Sequence, residues 1–445
     1  MIFRKISVFA VLVLLVSFLT PAPSVYAAQT PSGIVFSELE SQIDALINEH
    51  IGKSTPGGAV VVFHNGEIIF SKGYGHADIE RGIPVDPAAT IFEHGSISKL
   101  FVWTAAMQLV EQGLLDLDAD ISIYLPVDTV RKFAFEKPFT MRDLMNHAAG
   151  FEEVLLGLFS DARTMNEERG TLEEALLTIV PAQIFEPGTI SAYSNWGTAF
   201  AALVVEYISG KSFSDFEMQN IFMPLGMANT LNQPDWIGNH AFLQNKARGY
   251  IADGNGGFDE GIWAYVPIYP AGAINGTAED LARFAMAFAP AHGEPGPLFE
   301  NADTLAAMLS PSSLDPINRP KTNHGFLRYA GALPNVGHGG NTETFSTNLV
   351  VVPEERFGFV VLTNAASETD IVYGITSLLL GEPEKVVPSA NLPNASEVTG
   401  SFTMARRVES NITELFTFSV ISITATDDNS IQQRSGLLEH CIFNR

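Results

Sequence analysis

The sequence predicts an α+β fold, in which one antiparallel sheet takes strands from both ends of the chain and is flanked by helices. Strand-like apolar runs occur near residues 58–70 and again at 346–362, whereas helical patterns dominate between Ser98 and about Met227. The helical region is therefore predicted to be an insertion between the two sets of strands. We expect a ligand site in the cleft between this region and the sheet.

The N-terminal part of the sheet is predicted to be a β-hairpin that follows an amphipathic helix over residues 36–51. The apolar runs 58–63 and 67–70 are separated by His64-Asn65-Gly66. Asn-Gly between two apolar runs is the strongest local signal for a hairpin turn. The chain therefore enters the antiparallel sheet early.

The C-terminal part of the sheet is predicted from two apolar runs, 346–352 and 357–362, which a Pro-Glu-Glu-Arg segment separates. A terminal helix is predicted over 371–380. Prolines beyond this helix indicate a linker, residues 398–426 have the pattern of short strands, and residues 432–445 show no period. We predict one domain over residues 28–382, then a linker and an incomplete accessory β tail over 383–445.

The first residues have the pattern of a secretory signal peptide. Arg4 and Lys5 precede fourteen apolar residues, and Val25-Tyr26-Ala27 resembles a cleavage signal. Fourteen residues are fewer than the roughly 20 that span a bilayer. We expect residues 1–27 to be removed, with retention as an anchor the alternative, so that the protein is secreted or extracytoplasmic, or associated with the cell envelope, without a stable membrane span.

Composition excludes several classes of function. The chain has 445 residues, of which 46% are hydrophobic, and a formal net charge of −25. Loss of Arg4 and Lys5 with the signal peptide would leave 23 basic residues against 50 acidic ones, and such a surface repels nucleic acid. Cys441 is the sole cysteine, which excludes an intrachain disulfide and a cysteine-based metal site. No metal or cofactor is expected.

The motif Ser96-Ile97-Ser98-Lys99 carries the strongest indication of chemistry. Residues three apart lie on one face of a helix, so the Lys99 amine can reach the Ser96 oxygen. A break at His94-Gly95 and an apolar helical run after Lys99 place Ser96 at a helix N-terminus, which favours developing negative charge. On its own this motif is also that of an ordinary helix cap.

Acyl transfer needs further groups, and the sequence offers candidates for each. Tyr193 and Asn195 form a Tyr-x-Asn motif just before a predicted helix, where they can supply a second proton-transfer group and a polar support. Further along, His338-Gly339-Gly340 leads into Asn341 and a predicted strand. Paired glycines there would let a substrate approach the strand backbone closely.

Taken in order, these three motifs resemble those of the serine β-lactamase and penicillin-binding-protein superfamily. The resemblance is closest to its class C-like branch, which includes class C β-lactamases, D-stereospecific peptidases and family VIII carboxylesterases. Further stretches similar to this branch lie at residues 144–151, 224–227, 270–273 and 277–281. The resemblance covers roughly residues 36–380 and implies a β-lactamase/transpeptidase-like fold.

The resemblance implies a role for each motif residue. Ser96 would form the acyl-enzyme and Lys99 would activate it, while Tyr193 would act with Lys99 as general base and then as acid to the leaving group. A tyrosine with its usual pKa near 10 is a poor base at neutral pH, so we expect the nearby Lys99 ammonium to lower the Tyr193 pKa.

The remaining residues would hold the substrate. The resemblance implies that Asn195 orients Lys99 and the substrate amide, and that the backbone N–H groups of Ser96 and Asn341 hold the oxyanion. His147 is the alternative base for Ser96, although in this resemblance it lies in a structural segment.

Two departures from the family pattern bear on the substrate. Where β-lactamases usually carry Lys-Thr-Gly, this chain has His338-Gly339-Gly340, which replaces a fixed positive charge by a titratable one. Glu343 stands where relatives commonly have glycine, and we expect it to add bulk and negative charge near the cleft wall. Both departures disfavour an anionic, penicillin-like substrate.

We therefore predict an exported serine hydrolase that acts on small-molecule ester, peptide or cell-wall-derived substrates, D-amino-acid-containing ones included. Two alternatives remain open. One is a penicillin-binding or cell-wall-modifying protein that deacylates slowly, and the other is a non-catalytic protein that keeps the pocket as a receptor.

Overall fold

The structure is a computed structural model and describes residues 28–154, 159–162, 170–234, 239–314, 320–383, 394–410, 420–425 and 431–435. The predicted signal peptide, residues 1–27, lies outside the described residues. Numbered along the chain, the strands are β1 (Gly57–His64), β2 (Glu67–Asp78), β3 (Ile83–Pro84), β4 (Phe92–Glu93), β5 (Ser160–Asp161), β6 (Thr230–Asn232), β7 (Tyr250–Ala252), β8 (Phe258–Glu260), β9 (Ala264–Tyr265), β10 (Ile274–Gly276), β11 (Ser313–Leu314), β12 (Pro320–Thr322), β13 (Val336–Asn341), β14 (Ser346–Val352), β15 (Phe357–Thr363), β16 (Gly400–Thr403), β17 (Val420–Ala425) and β18 (Ile431–Ser435).

The α-helices lie mostly between the two sets of strands, as predicted. They are α1 (Leu39–His50), α2 (Ser98–Glu111), α3 (Val127–Phe133), α4 (Met141–Met145), α5 (Leu172–Thr178), α6 (Asn195–Ser209), α7 (Phe213–Glu217), α8 (Met223–Leu225), α9 (His240–Asn245), α10 (Ala278–Met286), α11 (Ala302–Leu309) and α12 (Asp370–Leu380). Among the described residues, no helix is both long enough and apolar enough to cross a membrane.

A six-stranded antiparallel sheet joins the two ends of the chain, in the order β13-β14-β15-β1-β2-β3. The join is the pairing of β1 with β15, from Gly58 opposite Thr363 to His64 opposite Phe357. The predicted hairpin is present, and its turn residues Asn65 and Gly66 both have positive φ, as a tight two-residue turn requires. The predicted sheet from both chain ends is confirmed.

The two faces of this sheet bury different helices. Along β1, Val60 and Val62 pack in one hydrophobic cluster with α1 and α12, whereas Val61 and Phe63 pack in a second, larger cluster with the inserted helices. Successive side chains of a strand point to opposite faces, so a slip of one residue would exchange the two sets. The continuous apolar runs in the sequence follow from this double burial.

Helix α2 runs through the larger cluster and fixes the start of the inserted region. Its residues from Ser98 to Leu109 are all buried, which matches a helix that is apolar on every side. The ring of Phe101 stacks on that of Phe284 in α10, with the centroids 3.6 Å apart. Because α2 is packed on all sides, the turn at its N-terminus is held on a rigid support.

The C-terminal tail contains a second, small sheet in the order β16-β17-β18. β18 lies largely where the sequence shows no period, within the predicted β tail. β18 pairs with β17 over five residues. Backbone pairing does not require alternating side chains, so the sequence pattern does not predict this strand. Residues 406–410, which follow β16, contact the inserted region at Glu152 and Glu153.

A buried ion pair secures the short strand that leads to the Ser96 turn. β4 lies at the edge of a three-stranded sheet, next to β10. The Lys246 amine donates to the Glu93 carboxylate at 2.8 Å and to the Asn275 side-chain oxygen at 2.8 Å. Both ionic side chains are at most 3% exposed. Loss of either partner would leave the other as an uncompensated buried charge and would destabilise the protein.

We expect Lys246→Met to lower the free energy of unfolding by about 3–5 kcal/mol, because it leaves the Glu93 carboxylate buried without a cation. The double variant Lys246→Met/Glu93→Leu should recover most of this loss. Denaturant unfolding of both variants measures the effect. Equal stability of wild type and Lys246→Met would show that the pair does not stabilise β4.

Candidate active site

Ser96 lies in one turn of 3-10 helix between β4 and α2. The preceding Gly95 has φ +56°, and a side chain there would come within 2.7 Å of the backbone nitrogen of Asn341. Glycine is therefore required at this position. The Ser98 hydroxyl donates to the Gly95 carbonyl at 2.7 Å and fixes the turn.

Lys99 is fully buried directly beneath Ser96. Its Nζ lies 3.0 Å from Oγ of Ser96. The same nitrogen donates to the side-chain oxygen of Asn195 at 2.8 Å and to the carbonyl of Ala271 at 2.6 Å. The structure thus joins the Ser-x-x-Lys and Tyr-x-Asn motifs at a single nitrogen, and it adds Ala271 from the family-like stretch 270–273, to which the sequence assigned no role in the site.

The environment of Lys99 favours the neutral amine. Burial lowers the pKa of Lys99 well below its usual 10.5, although the Glu153 carboxylate acts in the opposite direction. A neutral amine has two N–H groups and one lone pair. The oxygens of Asn195 and Ala271 can only accept hydrogen bonds and so take both N–H groups. The lone pair is left to accept the hydroxyl proton of Ser96.

Tyr193 and Asn195 are positioned by the start of α6. The Ser194 hydroxyl between them accepts the backbone N–H of Gly197 at 3.0 Å and caps the helix. The Lys99 nitrogen lies 4.9 Å from the centre of the Tyr193 ring. Because Ser194 caps the helix, its neighbours Tyr193 and Asn195 both lie against Lys99.

Burial favours the protonated form of the Tyr193 hydroxyl. Burial raises the pKa of Tyr193 above its usual 10, and the hydrogen bond with Ser96 and the Arg406 guanidinium, which both lower it, do not offset this. The expected lowering by a Lys99 ammonium is therefore wrong: burial raises the pKa of Tyr193 and lowers the pKa of Lys99. Burial thus favours the neutral form of both groups.

β13 closes the opposite side of the site. A side chain at Gly340 would lie 2.0 Å from the carbonyl oxygen of His94, so only glycine permits this approach. The Thr347 hydroxyl donates to the same His94 carbonyl at 2.9 Å and holds the strand against the turn. The backbone N–H of Asn341 is thereby brought next to the Ser96 turn, where two such donors can stabilise an oxyanion.

His338 is neutral and does not supply the expected titratable positive charge. Burial lowers its pKa to about 4, with the nearby Lys99 contributing in the same direction. Its Nδ1 donates to the carbonyl of Gly339 at 2.6 Å, which leaves Nε2 as an acceptor. This Nε2 has no hydrogen-bond partner among the described residues. Nε2 of His338 can accept a hydrogen bond from a ligand, but the neutral ring does not attract a carboxylate.

A cavity of about 340 Å³ opens above Ser96. It is lined by Ser96, Phe159, Tyr193, Asn195, Val266, Ile268, Ala271, Gly272, Leu327, Tyr329, His338, Gly339, Asn341, Tyr373 and Arg406. Glu343 is exposed and does not line this cavity, although Asn341, two residues before it, does, so the negative charge expected near the cleft wall stays a prediction. A larger hollow of about 630 Å³ lies elsewhere, around Tyr207 and Glu173, and contains none of the motif residues.

His147 lies behind Tyr193 and not beside Ser96. The rings of His147 and Tyr193 are 4.3 Å apart. Its Nδ1 accepts the backbone N–H of Ser194 at 3.2 Å. Burial lowers the pKa of His147 well below its usual 6.5. His147 therefore supports the Tyr193 loop. In the described part of the chain, no three His, Cys, Asp or Glu side chains are grouped so that they could hold a metal ion.

Several cavity residues carry no sequence signal. Tyr329, whose hydroxyl donates to the Asn348 side chain at 2.6 Å, belongs to a segment between two predicted elements. Arg406 comes from the tail, where composition indicated only short strands. Glu153 does not line the cavity but pairs with Arg406, and it follows a motif that the family resemblance covers only as far as Phe151. The fold brings these residues to the site, and no sequence pattern predicts that they lie there.

A serine whose hydroxyl meets a buried amine, with a tyrosine acid and two backbone donors, defines the class of serine acyl-transfer proteins. The chain belongs to the Beta-lactamase family, whose model matches residues 43–379. The predicted membership of the serine β-lactamase and penicillin-binding-protein superfamily is thus confirmed, as is its α+β fold. Members of this superfamily are serine hydrolases that act on esters, peptides or β-lactams.

The sequence identity between this chain and individual relatives is low. "Penicillin-binding protein 4" of Amycolatopsis lactamdurans is 27% identical over 372 residues, which cover 79% of this chain and 92% of that protein. The octameric penicillin-binding protein homologue from Pyrococcus abyssi has a similar structure, with a TM-score of 0.64, 22% identity and 91% of each chain covered. A D-amino acid amidase from Ochrobactrum anthropi SV3 gives a TM-score of 0.61 and 23% identity, covering 76% of this chain and 96% of that one.

We expect Gly340→Ala to slow acylation of Ser96 by about 100-fold or more, because a methyl group against the His94 carbonyl displaces the Asn341 N–H. The rate of labelling by a fluorophosphonate measures acylation. Gly210→Ala is the control: Gly210 has positive φ but lies in open space at the end of α6, so stability should fall slightly and labelling should not change. Labelling of Gly340→Ala at the wild-type rate would contradict this role of β13.

Proposed function

We propose that this protein is a serine hydrolase that cleaves esters or amides through an acyl-enzyme on Ser96. One observation carries the proposal: Nζ of Lys99 lies 3.0 Å from Oγ of Ser96, with both of its N–H groups occupied by carbonyl oxygens. A buried amine held in this way has one remaining function, which is to accept the serine proton.

Acylation follows from this arrangement. Lys99 takes the hydroxyl proton of Ser96 as Oγ forms a bond to the substrate carbonyl carbon. The carbonyl oxygen becomes an oxyanion, and the backbone N–H groups of Ser96 and Asn341 stabilise it. When the intermediate collapses, Tyr193 donates its proton to the departing oxygen or nitrogen, and the Lys99 ammonium restores that proton. The leaving group departs neutral, and the acyl group stays on Ser96.

Deacylation uses the same groups in the reverse order. A water molecule attacks the ester carbon of the acyl-enzyme, and its proton passes to the Tyr193 and Lys99 pair. The oxyanion again lies at the two backbone donors. The C–O bond to Ser96 then breaks, Oγ recovers its proton, and the acid product leaves. The cycle consumes one water molecule, and the chain's own groups carry out the proton transfers.

We infer that the acyl part of the substrate is small and largely apolar. Most of the cavity is lined by apolar or aromatic side chains, such as Val266, Ile268 and Leu327, and its volume of about 340 Å³ suits one amino-acid residue or a short acyl chain. The structural similarity to a D-amino acid amidase supports D-amino-acid amides and peptides among the candidates.

A second candidate is a penicillin-binding protein whose acyl-enzyme hydrolyses slowly. The sequence similarity to penicillin-binding protein 4 of Amycolatopsis lactamdurans, over 92% of that protein, favours this candidate. Both candidates include export, which is proposed from the pattern of residues 1–27 alone. Sequencing the N-terminus of the mature protein tests export, since a chain that still begins at Met1 would contradict cleavage.

We expect wild-type protein to turn over p-nitrophenyl acyl esters and to be labelled by a fluorophosphonate. Ser96→Ala should lose label and reduce turnover by at least about 10³-fold, because the acyl acceptor is removed. Ser41→Ala, which removes an exposed hydroxyl on α1, is the matched control and should behave as wild type. Stable labelling by a fluorescent penicillin without turnover would favour the second candidate. Absence of any label that depends on Ser96 would leave only a receptor role.

We also expect kcat/KM to rise with pH as Lys99 loses its proton, with a midpoint well below pH 10.5. The sign follows from burial, which lowers the Lys99 pKa and so makes the neutral base available at lower pH. Lys99→Arg should abolish turnover at every pH, because a guanidinium does not deprotonate. Lys132→Arg on exposed α3 should leave the profile unchanged. A pH profile of wild type that reaches its midpoint near 10.5 would contradict a neutral Lys99.

A further inference from the structure

The segment 404–410, named here the tail segment, brings a cation to the two groups that transfer protons in the proposed mechanism. The guanidinium carbon of Arg406 lies 4.7 Å from the centre of the Tyr193 ring. Nζ of Lys99 lies 4.9 Å from the centre of the same ring. A charge from the C-terminal tail is therefore a neighbour of Tyr193, which is itself a neighbour of Lys99.

Glu153 is the counter-ion of Arg406. Nε of Arg406 donates to one oxygen of the Glu153 carboxylate at 2.7 Å, and the backbone N–H of Val154 donates to the other oxygen at 3.0 Å. The side chain of Glu153 is 1% exposed, whereas that of Arg406 is 44% exposed. The carboxylate is thus enclosed by the protein. Loss of the guanidinium would leave its negative charge without compensation.

Backbone contacts fix the tail segment against the residues that supply this counter-ion. The backbone N–H of Glu153 donates to the carbonyl of Arg407 at 3.0 Å. The buried Glu152 carboxylate accepts the backbone N–H groups of Glu409 at 2.8 Å and Ser410 at 3.0 Å. Hydrogen bonds to a charged acceptor are stronger than neutral ones. The ion pair between Glu153 and Arg406 is therefore held by the path of the chain on both sides.

Few charged groups face Lys99 and Tyr193. In the part of the chain that the structure describes, the titratable side chains that act on them are His147 after α4, Glu153, Tyr329, His338 in β13 and Arg406. Burial lowers the pKa of both histidines and raises the pKa of Tyr329, which favours the neutral form of all three. Glu153 and Arg406 therefore supply the charges beside the reacting groups.

These two charges act on the reacting groups in opposite directions. Burial lowers the pKa of Lys99, the Glu153 carboxylate raises it, and the Arg406 guanidinium lowers it. Burial raises the pKa of Tyr193, the hydrogen bond with Ser96 and the guanidinium lower it, and the carboxylate raises it. Glu153 without its partner would favour the Lys99 ammonium, which has no lone pair to accept the serine proton.

We propose that Arg406 is a positioning residue for the reaction, which holds the Glu153 carboxylate in a balanced ion pair so that no uncompensated negative charge lies beside Lys99 and Tyr193. This inference rests on the proposed serine hydrolase function. It makes the tail segment a part of the catalytic unit. Without the guanidinium, Lys99 would remain an ammonium to higher pH, and Tyr193 would be a weaker acid.

The pH dependence of fluorophosphonate labelling tests this inference, because the probe is uncharged at every pH and its rate reports acylation of Ser96. Arg406→Met removes the charge but keeps an unbranched side chain. It should move the midpoint of the rate profile upward by about one pH unit, which slows labelling about 10-fold below the midpoint. Glu153→Gln should move the midpoint downward, because the guanidinium then acts alone. The double variant should have a midpoint close to that of wild type.

Two further variants separate charge from packing. Arg406→Lys keeps the charge and should keep the wild-type midpoint to within a few tenths of a pH unit. Arg131→Met removes an equal charge from exposed α3 and should leave the midpoint unchanged. If Arg406→Met does not fold, the midpoint of Glu153→Gln decides, since a downward shift supports the inference and an unmoved midpoint contradicts it.

An unmoved midpoint in Arg406→Met, whether or not labelling slows at every pH, would show that Arg406 serves packing and would overturn the inference. An upward shift that the added Glu153→Gln does not remove would overturn it too. In both cases labelling of wild type at Ser96 would still support the hydrolase. Absence of that labelling in wild type would overturn both proposals.

Discussion

The contact between the buried amine of Lys99 and the hydroxyl of Ser96 is the constraint on which the rest of the site depends. Nζ of Lys99 is held by two carbonyl oxygens from different parts of the chain, Asn195 in α6 and Ala271 in the turn before β10. If either segment moved, the amine would have an N–H free to donate and would no longer present its lone pair to Ser96. The packing of α2, α6 and the turn at Ala271 is therefore part of the chemistry.

Burial also sets the protonation of the whole site. It lowers the pKa of Lys99, His147 and His338, and it raises the pKa of Tyr193. Each shift favours the uncharged form, because a dry interior penalises charge whatever its sign. In the proposed mechanism, charge develops at groups whose burial favours their neutral forms, next to backbone donors that can stabilise it. The Arg406 guanidinium at the rim is the exception.

Local patterns were sufficient to predict the sheet and the three motifs. The Asn65-Gly66 turn, the apolar strands and the Ser-x-x-Lys spacing are determined by neighbouring residues, and the structure has the hairpin and strands where they were expected. The protonation states were predicted less well, since the pKa of Tyr193 depends on burial by segments far away in sequence. Arg406, Glu152 and Glu153 could not be predicted, because two carboxylates and a tail arginine form no motif until the fold brings them together.

Because the sheet takes strands from both ends of the chain, the site is completed late during synthesis of the protein. Ser96 and Lys99 leave the ribosome early, but Asn341 is 245 residues downstream and Arg406 further still. An N-terminal fragment that ends before β13 contains the nucleophile and its base without the strand that completes the oxyanion site. The reactivity proposed for Ser96 therefore requires the chain at least as far as β13.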